Sequence, residues 1–239
     1  MDFQFQAIGF IESCYKEKFG VPRQPGLAPD ATGQLKLVAP FNQADAVRGL
    51  ESSSHIWLQF VFHQCLRQNW KPTVRPPRLG GNEKVGVFAT RSTFRPNPIG
   101  LSVVKLERIE TNGQQVTLHL SGLDLIEGTP ILDIKPYIPY VDKVEEASNT
   151  MAEEAPDLLP VLWGLQAQKD LHRYESRLGN FRALVEQVLQ QDPRPAYRKS
   201  KAEEKCYGVQ LGQANVRFTV NQSEEGSDKL QVCVEGIEF

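Results

Sequence analysis

The stretch Leu101-Ser102-Val103-Val104-Lys105-Leu106-Glu107-Arg108-Ile109-Glu110-Thr111-Asn112-Gly113-Gln114-Gln115-Val116-Thr117-Leu118-His119-Leu120 reads as two strands joined by a tight turn. Asn112-Gly113 is a strong hairpin signal, because both residues tolerate the left-handed backbone that such turns require. Upstream, Ile56-Trp57-Leu58-Gln59-Phe60-Val61-Phe62 is aromatic and β-branched between polar flanks, the pattern of a buried strand. Shorter candidates are Phe3-Gln4-Phe5-Gln6, Leu35 to Val38 before Pro40, Val85 to Ala89, and Ile131 to Ile134. Only Asp45 to Leu50 reads as a short helix. Many strands at short spacing, separated by Gly/Pro turns, predict a mainly β domain over residues 1–145, an antiparallel barrel or sandwich.

Composition changes near residue 143, where Glu145, Glu146, Ser148, Asn149, Glu153, Glu154 and Pro156 form an acidic linker. Beyond it, Phe181, Leu184, Val185, Val188 and Leu189 fall at helical spacing, with Asn180 as the expected cap and Pro193 as the stop. Trp163, Leu165, Leu171 and Tyr174 suggest an earlier helix. Three strands follow: Tyr207 to Leu211, Val216 to Val220, and the alternating run around Leu230, Val232 and Val234. Residues 150–239 therefore predict a smaller α+β domain.

The 239 residues are 40% hydrophobic and 23% charged, an ordinary globular composition that excludes a disordered chain. No apolar run reaches the length of a membrane span, and Met1-Asp2-Phe3 does not begin a signal peptide. Cys14, Cys65, Cys206 and Cys233 are expected as reduced thiols in a cytoplasmic protein. The net charge of −2 hides a basic segment. Arg67 to Arg108 holds nine Lys/Arg and two acids, so it carries +7 and the remainder −9. Such a face suits an anionic partner or is simply solvated.

The densest chemical signal is Val87-Phe88-Ala89-Thr90-Arg91-Ser92-Thr93-Phe94-Arg95-Pro96-Asn97-Pro98. Two prolines stiffen this loop, and its arginines suit carboxylates and phosphates through their planar donor fork. Val21 to Leu27, containing Gln24-Pro25-Gly26, is a second rigid loop. Ser121-Gly122-Leu123-Asp124 and Asp133-Ile134-Lys135-Pro136-Tyr137 form a third region, in which Asp133 and Lys135 share one strand face. His63-Gln64 closes the buried strand, where a polar pair lines a pocket or serves as a structural contact. There is no G-x-G-x-x-G, no P-loop, no nucleophile elbow and no His/Cys metal pattern.

In this order, Gln24-Pro25-Gly26, Asn42-Gln43-Ala44-Asp45, His63-Gln64, Phe88-Ala89-Thr90-Arg91-Ser92 with Arg95-Pro96-Asn97-Pro98, Leu123-Asp124 and Asp133 to Tyr137 resemble the TsaA-like family, also called YaeB or VirR-like. The C-terminal half is similar to its bacterial branch, which methylates N6 of threonylcarbamoyladenosine at position 37 of threonine tRNAs. The resemblance implies a β-barrel methyltransferase that uses S-adenosylmethionine without a doubly wound fold. It also implies a homodimer with each cofactor site near the subunit interface, no metal, and the tRNA(Thr) anticodon loop as partner. Carried onto matching positions, the cofactor contacts are Gln24, Pro25, Gly26, His63, Gln64, Arg91, Leu101, Ser121, Gly122, Leu123 and Asp124.

N6 of that nucleoside is acylated and weakly nucleophilic, so removing its proton helps transfer. Asp124, Asp133 and Tyr137 are the candidates for the base or for polarising the carbamoyl group, and sequence does not choose among them. Arg95, Asn97 and Lys135 are candidate contacts to the substrate base or threonyl carboxylate. Arg194, Tyr197, Arg198 and Lys199 (with Lys201 and Lys205) form a second basic cluster that grips the anticodon arm or is solvated. Two alternatives stay open: a non-catalytic RNA-binding module, and a small-molecule methyltransferase with the same pocket.

Overall fold

The computed structural model describes residues 2–76, 83–178, 180–199, 201–223 and 229–239. The first half contains β1 (Gly9–Ser13), β2 (Thr32–Leu37), β3 (His55–Val61), β4 (Thr73–Val74), β5 (Val85–Gly86), β6 (Ile99–Asn112), β7 (Gln115–Ser121), β8 (Pro130–Pro136) and the one-turn helix α1 (Pro139–Asp142). Six strands close into a barrel in the order β1-β2-β7-β6-β3-β8, and β4 pairs with β5 outside it. Every neighbouring pair in the barrel is antiparallel. The 14-residue β6 serves two neighbours, Ile99–Lys105 against β3 and Lys105–Asn112 against β7.

Alternation around a closed antiparallel barrel fixes which loops meet. Strands β1, β3 and β7 run the same way, so their C-terminal ends share one rim. The connections 14–31, 62–98 and 122–129 all start there, which places the first two sequence-marked loops and the Gly122–Asp124 part of the third together. The opposite rim holds the 38–54 connection, the β6–β7 turn and the chain leaving β8.

Period-two alternation fills the interior with Ile11, Leu35, Ile56, Leu58, Phe60, Val104, Val116, Leu118 and Leu120. Each such side chain contributes about 1.5–3 kcal/mol by leaving water. Gly100 faces this interior, where a Cβ would lie 2.2 Å from the Phe60 ring. Leu101 therefore points to the outer wall, where it is 52% exposed.

The predicted hairpin forms, with the turn at Gly113-Gln114 and Gly113 at φ +59°. The predicted strand at Phe3–Gln6 does not; it is exposed irregular chain beside a barrel that six other strands already close. Strand β1 was missed because its inward positions are Gly9, Ile11 and Ser13, only one of them large and apolar. Asp45 to Leu50 is not a continuous helix but two 3-10 turns, Ala44–Val47 and Leu50–Ser52, separated by Gly49 at φ +86°. The Val85–Ala89 strand stops after two residues at a 3-10 turn, Val87–Ala89.

The second half contains β9 (Val161–Trp163), α2 (Leu165–Leu178), α3 (Phe181–Leu189), β10 (Glu203–Leu211), β11 (Ala214–Gln222) and β12 (Leu230–Glu238). Its sheet runs β10-β11-β12-β9, with β9 parallel to β12. The predicted stripe of α3 is buried at all five positions. Asn180 takes the predicted N-cap position of α3, where its carbonyl accepts Leu184 N–H (3.1 Å), but its side-chain amide donates to Asp30 Oδ1 (3.1 Å) instead of capping the helix. Trp163 belongs to β9 rather than to a helix.

The halves share one apolar core. The 14–31 connection is pinned to the second sheet by a Tyr15–Leu211 bridge and by Gly212 N–H donating to Cys14 O (2.6 Å). Phe19 stacks on Tyr207 and Phe218 (centroids 6.3 and 6.4 Å), and Gln187 donates to Asp30. These ties hold Gln24-Pro25-Gly26 over the barrel rim. Among the described residues all four cysteines are free thiols, no helix is long and apolar enough to cross a membrane, and no cluster of metal-ligating side chains occurs.

Candidate active site

Tyr15 leaves β1, His63 leaves β3 and Asp124 leaves β7, all at the same rim. Among the described residues, the buried side-chain N and O atoms without a hydrogen-bond partner are Tyr15 Oη, His63 Nδ1 and Asp124 Oδ1. Burying an unpaired polar atom costs about 1–3 kcal/mol, so three at one rim point to a surface completed by another molecule.

Asp124 sits half-buried where β7 turns away. Burial is the main influence on its carboxyl and raises its pKa, while a Ser102 hydroxyl bond and the facing Arg91 cation oppose the rise. The net result is a carboxyl pushed up to about 6. Burial also holds the His63 imidazole below its ordinary value; a Val61 backbone bond opposes this and the Lys18 cation adds to it.

The two glycine-bearing loops interlock at the same rim. Gly26 N–H donates to Gly122 O (3.0 Å), Gly122 N–H to Pro29 O (3.2 Å), and Leu123 N–H to Ala31 O (3.2 Å). Gly26 and Gly122 take φ +77° and +70°, a region that side chains disfavour. Arg91 Nη1 donates to Gln24 Oε1, which ties the Arg91 loop to the same cradle. The structure thus brings Gln24, Pro25, Gly26, His63, Arg91, Gly122 and Asp124 to one rim.

Other predicted residues are placed differently. Ser121 donates its hydroxyl to Glu107 and Leu123 buries its side chain in the core. Gln64 is exposed and uses its carbonyl to accept Lys18 Nζ (2.6 Å). Asp133 and Lys135 form an ion pair with each other (2.7 Å) on the outer wall, as an exposed strand pair does. Tyr137 lies at the opposite rim against Trp57 (centroids 5.8 Å), with its N–H on His55 O (3.0 Å). Of the three candidate bases, Asp124 alone stands with Arg91 and His63 within one chain.

The 87–98 loop spends its polar groups on itself. Thr90 Oγ1 donates to Val87 O (2.9 Å), and Ser92 N–H and Phe94 N–H bond the Thr90 and Ser92 hydroxyls (both 3.2 Å). Arg95 Nη1 donates to Thr90 O (2.6 Å) and Val87 O (3.3 Å), so Arg95 braces the loop rather than standing free for a substrate carboxylate. Asn97 is exposed.

The second basic cluster is mostly structural. Arg194 is fully buried and grips Asp192 with two bonds (2.8 and 2.9 Å) and Lys201 O with a third (2.8 Å), so it cannot reach RNA. Arg198 pairs with Glu203 (2.9 Å), and Lys199 Nζ donates to Gln191 O (2.9 Å). Tyr197 remains exposed, at 72%. Arg78 of the first basic segment lies outside the described residues. Sequence reasoning missed Tyr15, Lys18 and Ser102. Ser102 is legible only once its inward position on β6 is known.

The model of the tRNA-methyltransferase O N-terminal domain matches residues 10–143, and the model of the TrmO C-terminal domain matches residues 156–232. The chain belongs to the tRNA-methyltransferase O family. It is 53% identical over 222 residues to the tRNA (adenine(37)-N6)-methyltransferase of Escherichia coli (strain K12), covering 92% of this chain and 94% of that one. The human protein of the same description is 42% identical over 150 residues, covering 62% of this chain and 33% of its own length. A crystal structure of TrmO from Pseudomonas aeruginosa superposes with a TM-score of 0.81 at 41% identity, over 100% of this chain and 99% of that one. Family membership fits the barrel, which offers no doubly wound cofactor site.

Proposed function

We propose that this chain methylates N6 of N6-threonylcarbamoyladenosine at position 37 of tRNA(Thr), with S-adenosylmethionine as donor, as a cytoplasmic homodimer whose partner is the anticodon loop. Methylation of tRNA from S-adenosylmethionine is the family's activity; the acceptor nucleoside, the dimer and the compartment are the finer reading. The observation that carries it is the rim where Asp124, His63, Arg91 and the Gly26–Gly122 cradle converge.

These residues fit S-adenosylmethionine. A Cβ on Gly26 would meet nothing within 4 Å, so the cradle offers open backbone. His63 Nδ1 and Asp124 Oδ1 are buried and unpartnered, and Arg91 supplies a cation for a carboxylate. Gln24, Gly26, Gly122, His63 and Arg91 would hold the cofactor, whose sulfonium methyl is electrophilic without a metal.

The chain's own contribution is positioning and proton removal. Holding N6 in line with the methyl group supplies several kcal/mol of the barrier. Asp124, with its pKa near 6, is ionised at pH 7 yet basic enough to take the N6 proton. Ser102 keeps that carboxyl oriented by its hydroxyl bond.

The dimer reading is supported by the outer wall. Ile99 and Leu101 are 40% and 52% exposed, and Trp57 and Val103 pair beside them on β3 and β6. An apolar stripe on a barrel's exterior suits a second copy. Leu101 could then touch a cofactor only from that interface, in line with a site between subunits. The test is to incubate the protein with S-adenosylmethionine and bulk tRNA, then digest to nucleosides for mass spectrometry. The expected result is a gain of one methyl confined to threonylcarbamoyladenosine. A methylated nucleoside of any other kind would overturn the acceptor.

A further inference from the structure

Beside the candidate active site, a cleft of about 470 Å³ opens between residues 65–75 and the Phe94–Pro98 segment. Among the described residues, its walls include Arg67, Lys71, Arg75, Lys84 and Arg95 and no carboxylate. Among the described residues, none of these five cations is paired with an acid. Trp70 and Phe94 lie in the same walls, 52% and 40% exposed. The Arg67 guanidinium lies 3.8 Å over the Phe94 ring, presenting a flat cationic platform.

Unpaired cations repel one another, so gathering five in one concavity is unfavourable unless an anion enters. Cations alone would serve any anion. The interleaved Trp70 and the Arg67–Phe94 stack add flat surfaces, the combination that holds unpaired nucleotides. The volume lies within the range of small-ligand pockets. The 87–98 loop stands between the two sites: Arg91 reaches back to Gln24, while Phe94, Arg95, Pro96 and Pro98 line the cleft. Arg95, clamped to Thr90 O, fixes that shared wall.

We propose that this cleft is a second nucleotide-binding site, separate from the cofactor cradle, which takes one unpaired anticodon-loop nucleotide flanking the methylated one. Its base stacks on Trp70 or on the Arg67–Phe94 platform, and its phosphodiester is met by Lys71, Arg75 and Lys84. The identity of the RNA rests on the proposed function; the cleft's preference for an unpaired nucleotide does not.

The test uses the full-length protein and a tRNA(Thr) anticodon stem-loop carrying 2-aminopurine at each loop position flanking the target in turn. Wild type is expected to quench one of these probes on binding. Trp70→Leu should abolish that quench and weaken binding at least fivefold, with S-adenosylmethionine affinity unchanged. The double variant Lys71→Gln with Arg75→Gln should weaken binding more than tenfold and lower the log–log salt slope by about 1.4, the value for two lost contacts to a single strand. Both variants are surface changes, and an unchanged Tm verifies folding. No quench at any position, or a salt slope unmoved by the double variant, would overturn the proposal even if methyl transfer proceeds. Equal affinity for an acidic peptide of matched charge would reassign the cleft to a protein partner and also overturn it. Conversely, quench and slope as expected with no methylation would leave the cleft standing and sink the proposed function instead.

Discussion

Replacing Asp124 with Asn should stabilise the protein while disabling it. The Asp124 carboxyl rises from its ordinary 3.8 to about 6 because burial penalises its charged form. A pKa raised on folding favours the protonated fold, so the associated stability is complete below 3.8 and disappears as pH rises through 6. At about 1.4 kcal/mol for each tenfold change in proton affinity, the rise corresponds to ~3 kcal/mol. Solvent reaching the half-buried group reduces this to about 1–3 kcal/mol. Asn is uncharged at every pH and retains an oxygen for the Ser102 hydroxyl. Asp124→Asn should therefore match wild type in Tm at pH 4 and exceed it by about 2–12 °C at pH 8, at about 2–4 °C per kcal/mol for a chain of this size. Methyl transfer should fall about 10²–10⁴-fold, the range of a lost general base. Wild-type kcat/KM should lose activity below pH ~6 as the carboxyl protonates. Scanning calorimetry from pH 4 to 8, with methyl transfer on the same samples, reads both. A Tm difference that does not change with pH, or a variant that methylates normally, would refute the reasoning.

Arg91→Ala should weaken S-adenosylmethionine binding about 10–150-fold by calorimetry, the loss of one charge-assisted contact, and Arg91→Lys should recover only part. Arg194→Met should cost about 3–5 kcal/mol in denaturant unfolding by stranding buried Asp192; a large loss of RNA affinity in still-folded protein would contradict its structural placement. Gly100→Ala should cost about 1–3 kcal/mol by driving its methyl into the Phe60 ring, visible as a lower Tm.

The parts of the fold that the sequence reveals are those where burial is one-sided and continuous. The 101–120 hairpin, β3 and the α3 stripe all carry their inward residues at the period of their element. Strand β1 is short and contributes Gly9 and Ser13 to the interior, so its pattern is invisible until the barrel supplies a wall for it. Phe3–Gln6 has the pattern without a partner edge. The candidate site was legible as three loops, since Gly, Pro and Arg mark rigid polar turns. Which of their residues face a ligand was not, because that depends on where hydrogen bonds go. Arg95, Thr90 and Ser92 turn inward to brace their loop, and Arg194 is consumed by Asp192. Separating Asp124 from Asp133 and Tyr137 needed the strand directions, which put the three at different heights of one barrel.

The central claim is the acceptor. It is tested most directly by transfer of labelled methyl from S-adenosylmethionine into two matched tRNA(Thr) molecules, one with threonylcarbamoyladenosine at position 37 and one with plain adenosine. The account predicts label in the first alone. Equal label in both, or label in neither while the cofactor binds, would contradict it.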